Sequence, residues 1–263
     1  MTARLSTARA RGDAIEQVGV QLRRTLGAFV DGSEAVRRVA CCEDRGESAR
    51  LDCSWRSVLP GCGALLIVVG GMWCITAANL MSGEALAQVG IKPRNVPWGL
   101  VGIIAAPWVH LSVSHIGANS GPFLVLGAFV MMRGMRAWLA ITIWIVLVGG
   151  FMLWVVGPPH TVHDGCSSLV FGYMGFLLAA ALVECRPLPL LSALVAVAAY
   201  GGCLMGALPS ASAVRDHVSW EGHLTGLAAG IALVLLHVVL RAACGERCVA
   251  ALLGERGIAQ HRL

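Results

Sequence analysis

Six long apolar segments constrain this chain more than any other feature of its sequence. They lie near residues 60–80, 117–132, 135–157, 167–183, 188–207 and 220–240. A helix that crosses a membrane needs about 20 consecutive, mostly apolar residues, and the segments approach this length. The composition agrees, because 57% of the residues are hydrophobic and only 13% are charged. We therefore predict an all-α membrane protein with six transmembrane helices.

The chain divides into three regions of different polarity. A polar N-terminal tail, residues 1–58, precedes a membrane domain at residues 59–240, and a second tail follows at residues 241–263. The first tail holds ten arginines, and positively charged segments beside membrane spans stay in the cytoplasm. Short arginine-bearing connections between the spans indicate the same orientation. We expect both tails to be cytoplasmic.

The connection between the first two spans, residues 81–116, is too apolar for a solvated loop. Its segment GLVGIIAAPWVHL contains Pro107, which interrupts a regular helix. Irregular backbone at membrane depth persists only against protein or water. We predict a long loop that is partly buried at the outer membrane face.

Strongly polar side chains inside membrane spans are costly and are therefore candidates for a functional site. His110, His115 and Asn119 lie at the start of span two, Ser167 at the start of span four and His223 at the start of span six. These three spans run in the same direction, from outside to inside. Their polar residues are predicted to meet at one membrane level.

These residue types suit nucleophilic attack on an amide. A serine hydroxyl needs a base to remove its proton, and His223 can serve Ser167 in that way. The attack also creates an oxyanion, which needs donors placed in advance. His115 and Asn119 lie four residues apart on one helix face and can both donate, and the Ser167 N–H at a helix start adds a third donor.

Three motifs in this region resemble those of rhomboid intramembrane serine proteases. HLSVSHIGAN at residues 110–119 is similar to the family pattern HxxxxHxxxN, GCSSLVFG at 165–172 to GxSG, and EGHLTGLAAG at 221–230 to HxxGxxxG. The three occur in the family's order. The resemblance covers residues 60–240 and implies a six-helix rhomboid-like bundle that cleaves transmembrane protein substrates near the outer membrane face. It also implies an integral multi-pass protein of a bacterial plasma membrane.

The resemblance implies a role for each polar residue of the site. Ser167 and His223 would form the catalytic dyad. His115, Asn119 and the Ser167 amide would form the oxyanion hole, and His110 would hold the outer loop in place.

Four further positions would support the site. Phe171 would stack on the catalytic histidine and so replace an acidic third member. Gly165 belongs to the nucleophile motif, while Gly226 and Gly230 let span six approach a neighbouring helix closely.

Ser168 departs from the family pattern, which has glycine after the nucleophile. A side chain at this position could obstruct the oxyanion hole. The alternative function is therefore a proteolytically inactive rhomboid-like protein that binds transmembrane helices.

Other classes of function have weaker support in the sequence. His160, His163 and Cys166 have a spacing that could ligate zinc, but no fourth ligand is evident nearby. A haem-binding cytochrome would need matched histidines near the opposite membrane face. The net charge of +5 comes without a basic stripe interleaved with aromatics, which disfavours nucleic-acid binding. We expect no metal or other cofactor, and as partners the lipid bilayer and transmembrane substrates.

Overall fold

A computed structural model of the chain describes residues 55–185, 187–201 and 219–252. Its helices are α1 (Trp55–Met81), α2 (Trp98–Ala105), α3 (Val113–Met131), α4 (Met135–Trp144), α5 (Gly150–Val156), α6 (Ser167–Glu184), α7 (Pro187–Tyr200) and α8 (Trp220–Leu252). Within these ranges, five stretches are long and apolar enough to cross a membrane: Gly61–Met81, Val113–Met131, Met135–Val156, Ser167–Glu184 and Trp220–Leu240. The predicted all-α membrane architecture is confirmed.

The predicted fifth span, residues 188–207, begins as helix α7, which has 14 residues. The remainder of that span and the connection up to residue 218 lie outside the described residues. Six membrane-crossing helices therefore stay a prediction. Residues 1–54 of the predicted N-terminal tail and residues 253–263 of the predicted C-terminal tail also lie outside the described part of the chain. All contacts below belong to one compact unit, residues 53–239.

Helix α3 begins at Val113, although the hydropathy pattern placed the start of span two near residue 117. Ser112 causes the earlier start, because its backbone is extended and its hydroxyl accepts a hydrogen bond from the His115 N–H at 3.1 Å. A serine cap of this kind satisfies one of the amide groups left unpaired at a helix start. His115 consequently lies in the first turn of α3.

The third predicted span, residues 135–157, is a continuous helical stretch with a π-helical turn inside it. The turn covers Ile145–Gly149 and joins α4 to α5. Just before it, the Trp144 indole donates a hydrogen bond to the Ala229 carbonyl of α8 at 2.9 Å. A side chain on Gly149 would meet the Cβ of Ala229 at 3.4 Å. The π turn therefore lies where this span packs closely against α8.

The connection between α1 and α3 is structured over most of its length. It contains a 3₁₀ turn at Ala85–Val89, helix α2 and a second 3₁₀ turn at Ala106–Trp108. Helix α2 ends two residues before Pro107, as the helix-breaking effect of proline predicts. Ile91, Ile103 and Ala106 of this connection are buried and pack with Leu153 of α5. Its location at the outer membrane face stays a prediction.

Helix α6 is the central helix of the bundle. Buried residues make up 61% of its apolar window, against 28–33% in the other four candidate spans. Tyr173, Met174 and Leu177 are fully buried in the main apolar core. A helix that is enclosed by protein in this way can hold its first residues in a fixed place.

The two ends of the bundle differ in chemistry. At one end, Arg133 and Glu184 form an ion pair at 2.7 Å, and the Arg133 guanidinium lies over the Phe176 ring. At the other end, the starts of α3, α6 and α8 meet, as the contacts below establish. The polar residues identified from the sequence lie at this second end.

Candidate active site

Gly165 shapes the nucleophile turn, which we define as residues 163–166, directly before Ser167 at the start of α6. Its φ is +92°, a backbone conformation that favours glycine. A side chain here would also meet the His115 ring at 2.8 Å. The Gly165 N–H donates to the carbonyl of Ala106 at 2.9 Å, so the turn is fixed by the connection that precedes α3. Glycine is needed at this position for both its conformation and its lack of a side chain.

His110 is fully buried beneath the same turn. Its Nε2 accepts a hydrogen bond from the Cys166 N–H at 3.2 Å, which requires that nitrogen to be unprotonated. Burial, and secondarily the neighbouring His115, lower the pKa of His110 to about 4. A neutral His110 therefore holds the residue that directly precedes Ser167.

Asn79, near the end of α1, is a site residue that the sequence reading missed. It is fully buried; its amide donates to the His110 carbonyl at 3.3 Å, and its carbonyl oxygen accepts from the Ala87 N–H at 3.0 Å. Asn79 thereby connects α1 to the residue that supports the nucleophile turn. A strongly polar residue inside an apolar span was the signal that could have identified it.

His115 and Asn119 lie one turn apart on α3. The ring of His115 faces Gly165, two residues before Ser167, and lies edge-on to His110 with the ring centroids 5.0 Å apart. The Asn119 amide donates to the His115 carbonyl at 3.1 Å. An amide group carries two N–H bonds, so the second is left for another acceptor. These two side chains lie next to the nucleophile turn.

His223 contacts Phe171, which follows Ser167 by one helical turn. Ser167 is the first residue of α6, and Phe171 follows four residues later on the same face, about 6 Å further along the helix. The Phe171 ring stacks on the His223 ring, with centroids 4.2 Å apart and an angle of 9° between the planes. Ser167 and His223 are both half-buried. The stack brings the start of α8 to the start of α6.

Glycines on both helices permit this approach. A side chain on Gly226 would overlap the Ser168 carbonyl, and one on Gly230 would overlap the Gly172 carbonyl. The same holds in reverse for Gly175, whose added Cβ would overlap the carbonyl of Leu227. Helices α6 and α8 therefore touch through their backbones.

Ser168 is half-buried at this contact. Its backbone faces Gly226, and the missing side chain of that glycine leaves room for the Ser168 carbonyl.

The possible zinc ligands are not arranged as a metal site. Both ring nitrogens of His163 have hydrogen-bond partners, Thr161 and Ser219. Cys166 is buried, whereas His160 is exposed. Among the residues that the structure describes, no group of three potential ligands could hold a metal ion.

An open cavity of about 350 Å³ lies beside the nucleophile turn. Glu84, Leu111, Val162 and Asp164 contribute to its lining. Burial, with a further contribution from Glu84, raises the pKa of Asp164 to about 7. Asp164 precedes Gly165, so a group with an altered proton affinity lies close to the candidate nucleophile.

The fold and the site together define a multi-pass membrane protein whose polar groups converge at one end of the bundle around a serine and a histidine. A sequence model of the rhomboid domain matches residues 97–239, more than half of the chain. The chain belongs to the rhomboid family, and the resemblance seen in its motifs is confirmed.

Mycobacterial proteins are similar to this chain. An uncharacterized protein of Mycobacterium tuberculosis is 35% identical over 179 residues, which cover 65% of this chain and 73% of the relative. An uncharacterized protein of Mycobacterium leprae is 34% identical over 179 residues, which cover 65% of this chain and 69% of the relative.

Proposed function

We propose that this protein is an intramembrane serine endopeptidase. In this proposal Ser167 is the nucleophile, His223 is its general base, and the substrate is the transmembrane helix of another protein. The observation that carries the proposal is the stack of Phe171 on His223 one turn from Ser167. A ring held in this way keeps the imidazole in place, which is the task of the acidic third residue in a catalytic triad.

The first half of the reaction forms an acyl-enzyme. His223 takes the proton of the Ser167 hydroxyl as its oxygen attacks the peptide carbonyl. His115, the free N–H of Asn119 and the Ser167 backbone N–H donate to the resulting oxyanion. The C–N bond then breaks, and His223 gives its proton to the leaving amine.

The second half releases the other product. Water gives a proton to His223 and attacks the acyl carbon, and the same three donors stabilise the second oxyanion. The Ser167–acyl bond breaks, and the serine oxygen recovers the proton from His223. The enzyme returns to its starting state with no cofactor consumed.

The substrate must unwind before cleavage, because an intact helix holds its carbonyls in internal hydrogen bonds. We expect substrates with Gly, Pro or small residues near the outer end of their helix. We also propose that the site faces outward from a bacterial plasma membrane and that both tails are cytoplasmic. This orientation follows from the arginine distribution.

The test is cleavage of a single-span substrate by detergent-purified protein. Ser167→Ala and His223→Ala should abolish cleavage, and Ser167→Ala should also abolish labelling by a fluorophosphonate. Ser168→Ala is the matched control, since it removes the hydroxyl of the adjacent residue and should leave both signals. Cleavage that survives in Ser167→Ala would contradict the proposal.

The alternative is an inactive rhomboid-like protein that binds transmembrane helices. A folded wild type that neither cleaves nor reacts with the probe, yet retains a transmembrane peptide, would support it. The presence of both Ser167 and His223 favours the active enzyme, because a protein that only binds helices needs neither group.

A further inference from the structure

A line of hydrogen bonds joins the nucleophile turn to the start of α8. The His163 Nδ1 lies 2.7 Å from the Ser219 hydroxyl, and the His163 Nε2 lies 2.8 Å from the Thr161 hydroxyl. The Ser219 hydroxyl accepts from the Gly222 N–H at 3.1 Å. The Thr161 hydroxyl donates to the Pro158 carbonyl at 2.7 Å.

The bond from Thr161 to Pro158 determines the direction of the contact at Nε2. Because Thr161 donates its only hydroxyl proton to Pro158, its oxygen must accept from His163 Nε2–H. In the neutral imidazole, Nδ1 is then unprotonated and accepts the hydroxyl proton of Ser219. Every group in the line has a partner when the imidazole is neutral.

His163 is also fixed through its backbone. Its N–H and carbonyl pair with Ile91, at 2.9 and 2.8 Å, and Ile91 is buried in the small core beneath α2. The His163 side chain is 8% exposed. Burial lowers the pKa of His163, although Glu221 acts in the opposite direction, so the neutral form is the one that the fold favours.

Ser219 connects the His163 ring to the candidate base. Its carbonyl accepts the N–H of His223 at 3.1 Å, while its hydroxyl caps the first turn of α8. Two hydrogen bonds therefore lead from the His163 ring to the backbone of His223. His163 itself lies four residues before Ser167, in the nucleophile turn.

We propose that His163 is a positioning residue that fixes the start of α8, and with it His223, relative to the nucleophile turn. The inference rests on the proposed protease function. In this assignment the His163–Ser219 pair sets the distance between His223 and Ser167. The Phe171 stack sets the plane of the His223 ring. His163 contacts no reacting atom in this assignment.

Two variants separate the two ends of the His163 ring. In His163→Asn the side-chain oxygen takes the place of Nδ1 and keeps an acceptor for Ser219. In His163→Gln the amide reaches the place of Nε2 and keeps the Thr161 contact, but it loses Ser219. Both changes replace a neutral ring with a neutral amide, so they form a matched pair.

The measurements are kcat and KM for a transmembrane substrate, the rate of fluorophosphonate labelling, and the Tm of each variant. We expect His163→Asn to retain kcat within about 3-fold and His163→Gln to lose about 10- to 100-fold with KM unchanged, a loss of about 1.4–2.8 kcal/mol in transition-state stabilisation. Labelling should slow in parallel. Equal losses in both variants, or losses that follow Tm alone, would overturn the assignment.

Ser219→Ala tests the same link from the other side and serves if His163→Gln fails to fold. It should lower kcat to a similar extent, and combining it with His163→Asn should cost no more than Ser219→Ala alone. Additive losses would show that the two residues act separately and would refute the link. An inert wild type would instead contradict the protease proposal itself, so the two failures are distinguishable.

Discussion

The carbonyl of Ser168 lies where a side chain on Gly226 would stand, so α6 and α8 meet backbone to backbone beside the candidate nucleophile. The hydrophobic effect contributes little to helix association within lipid. Membrane helices associate instead through close packing, which small residues permit. The helix that carries Ser167 and the helix that carries His223 are thereby held in backbone contact.

Gly226→Ala should separate these helices. The added methyl overlaps a backbone carbonyl that cannot rotate away, and overpacking of this kind costs about 1–3 kcal/mol. We expect a lower Tm in detergent and the loss of fluorophosphonate labelling. Gly70→Ala in α1 is the control, because Gly70 is exposed, an added Cβ there meets nothing within 4 Å, and alanine is the better helix former. Equal Tm values for the two variants would contradict the close contact.

Phe171→Leu should lower kcat about 3- to 10-fold, since an aromatic stack contributes about 0.5–1.5 kcal/mol beyond the area that it buries. Phe176→Leu, a buried phenylalanine further along the same helix, should affect Tm but not kcat. Rates measured at saturating substrate distinguish the two variants. A kcat that falls equally in both would indicate a general packing effect.

Asn119→Ala should remove one oxyanion donor and lower kcat by about 100- to 1000-fold with little change in KM. The neighbouring Ser120→Ala is the control. Its hydroxyl donates to the Ile116 carbonyl of its own helix at 2.7 Å and accepts from the Trp73 indole, so it should matter for packing alone. A raised KM with normal kcat for Asn119→Ala would assign Asn119 to substrate binding instead.

Asp164→Asn should stabilise the protein at high pH. Burial raises the pKa of Asp164 to about 7, so between its unfolded pKa near 3.9 and pH 7 the folded state binds the proton more tightly. Stability from this group is therefore greatest at low pH, declines as pH rises towards 7 and is constant above it. The Tm of Asp164→Asn should exceed that of the wild type at pH 8, and the difference should disappear near pH 4. A difference in Tm that does not vary with pH would contradict this account.

The sequence identified the features that depend on local chemistry. Apolar segments of sufficient length predicted the spans now seen at α1, α3 and α6, and Pro107 predicted the end of α2. The motif residues His115, Ser167 and His223 were found because polar groups in apolar spans are rare. Their catalytic roles stay predictions.

Other features required the tertiary structure, because they join residues distant in the chain. His163 and Ser219 are 56 positions apart, and the spacing HxxHxxC suggested zinc rather than a hydrogen bond to a helix cap. Gly165 cannot carry a side chain because the rings of His110 and His115, from another part of the chain, lie where the Cβ would stand. Hydropathy and motif spacing state which residues enter the membrane and in which order, whereas only the packing of α3, α6 and α8 decides which side chains meet.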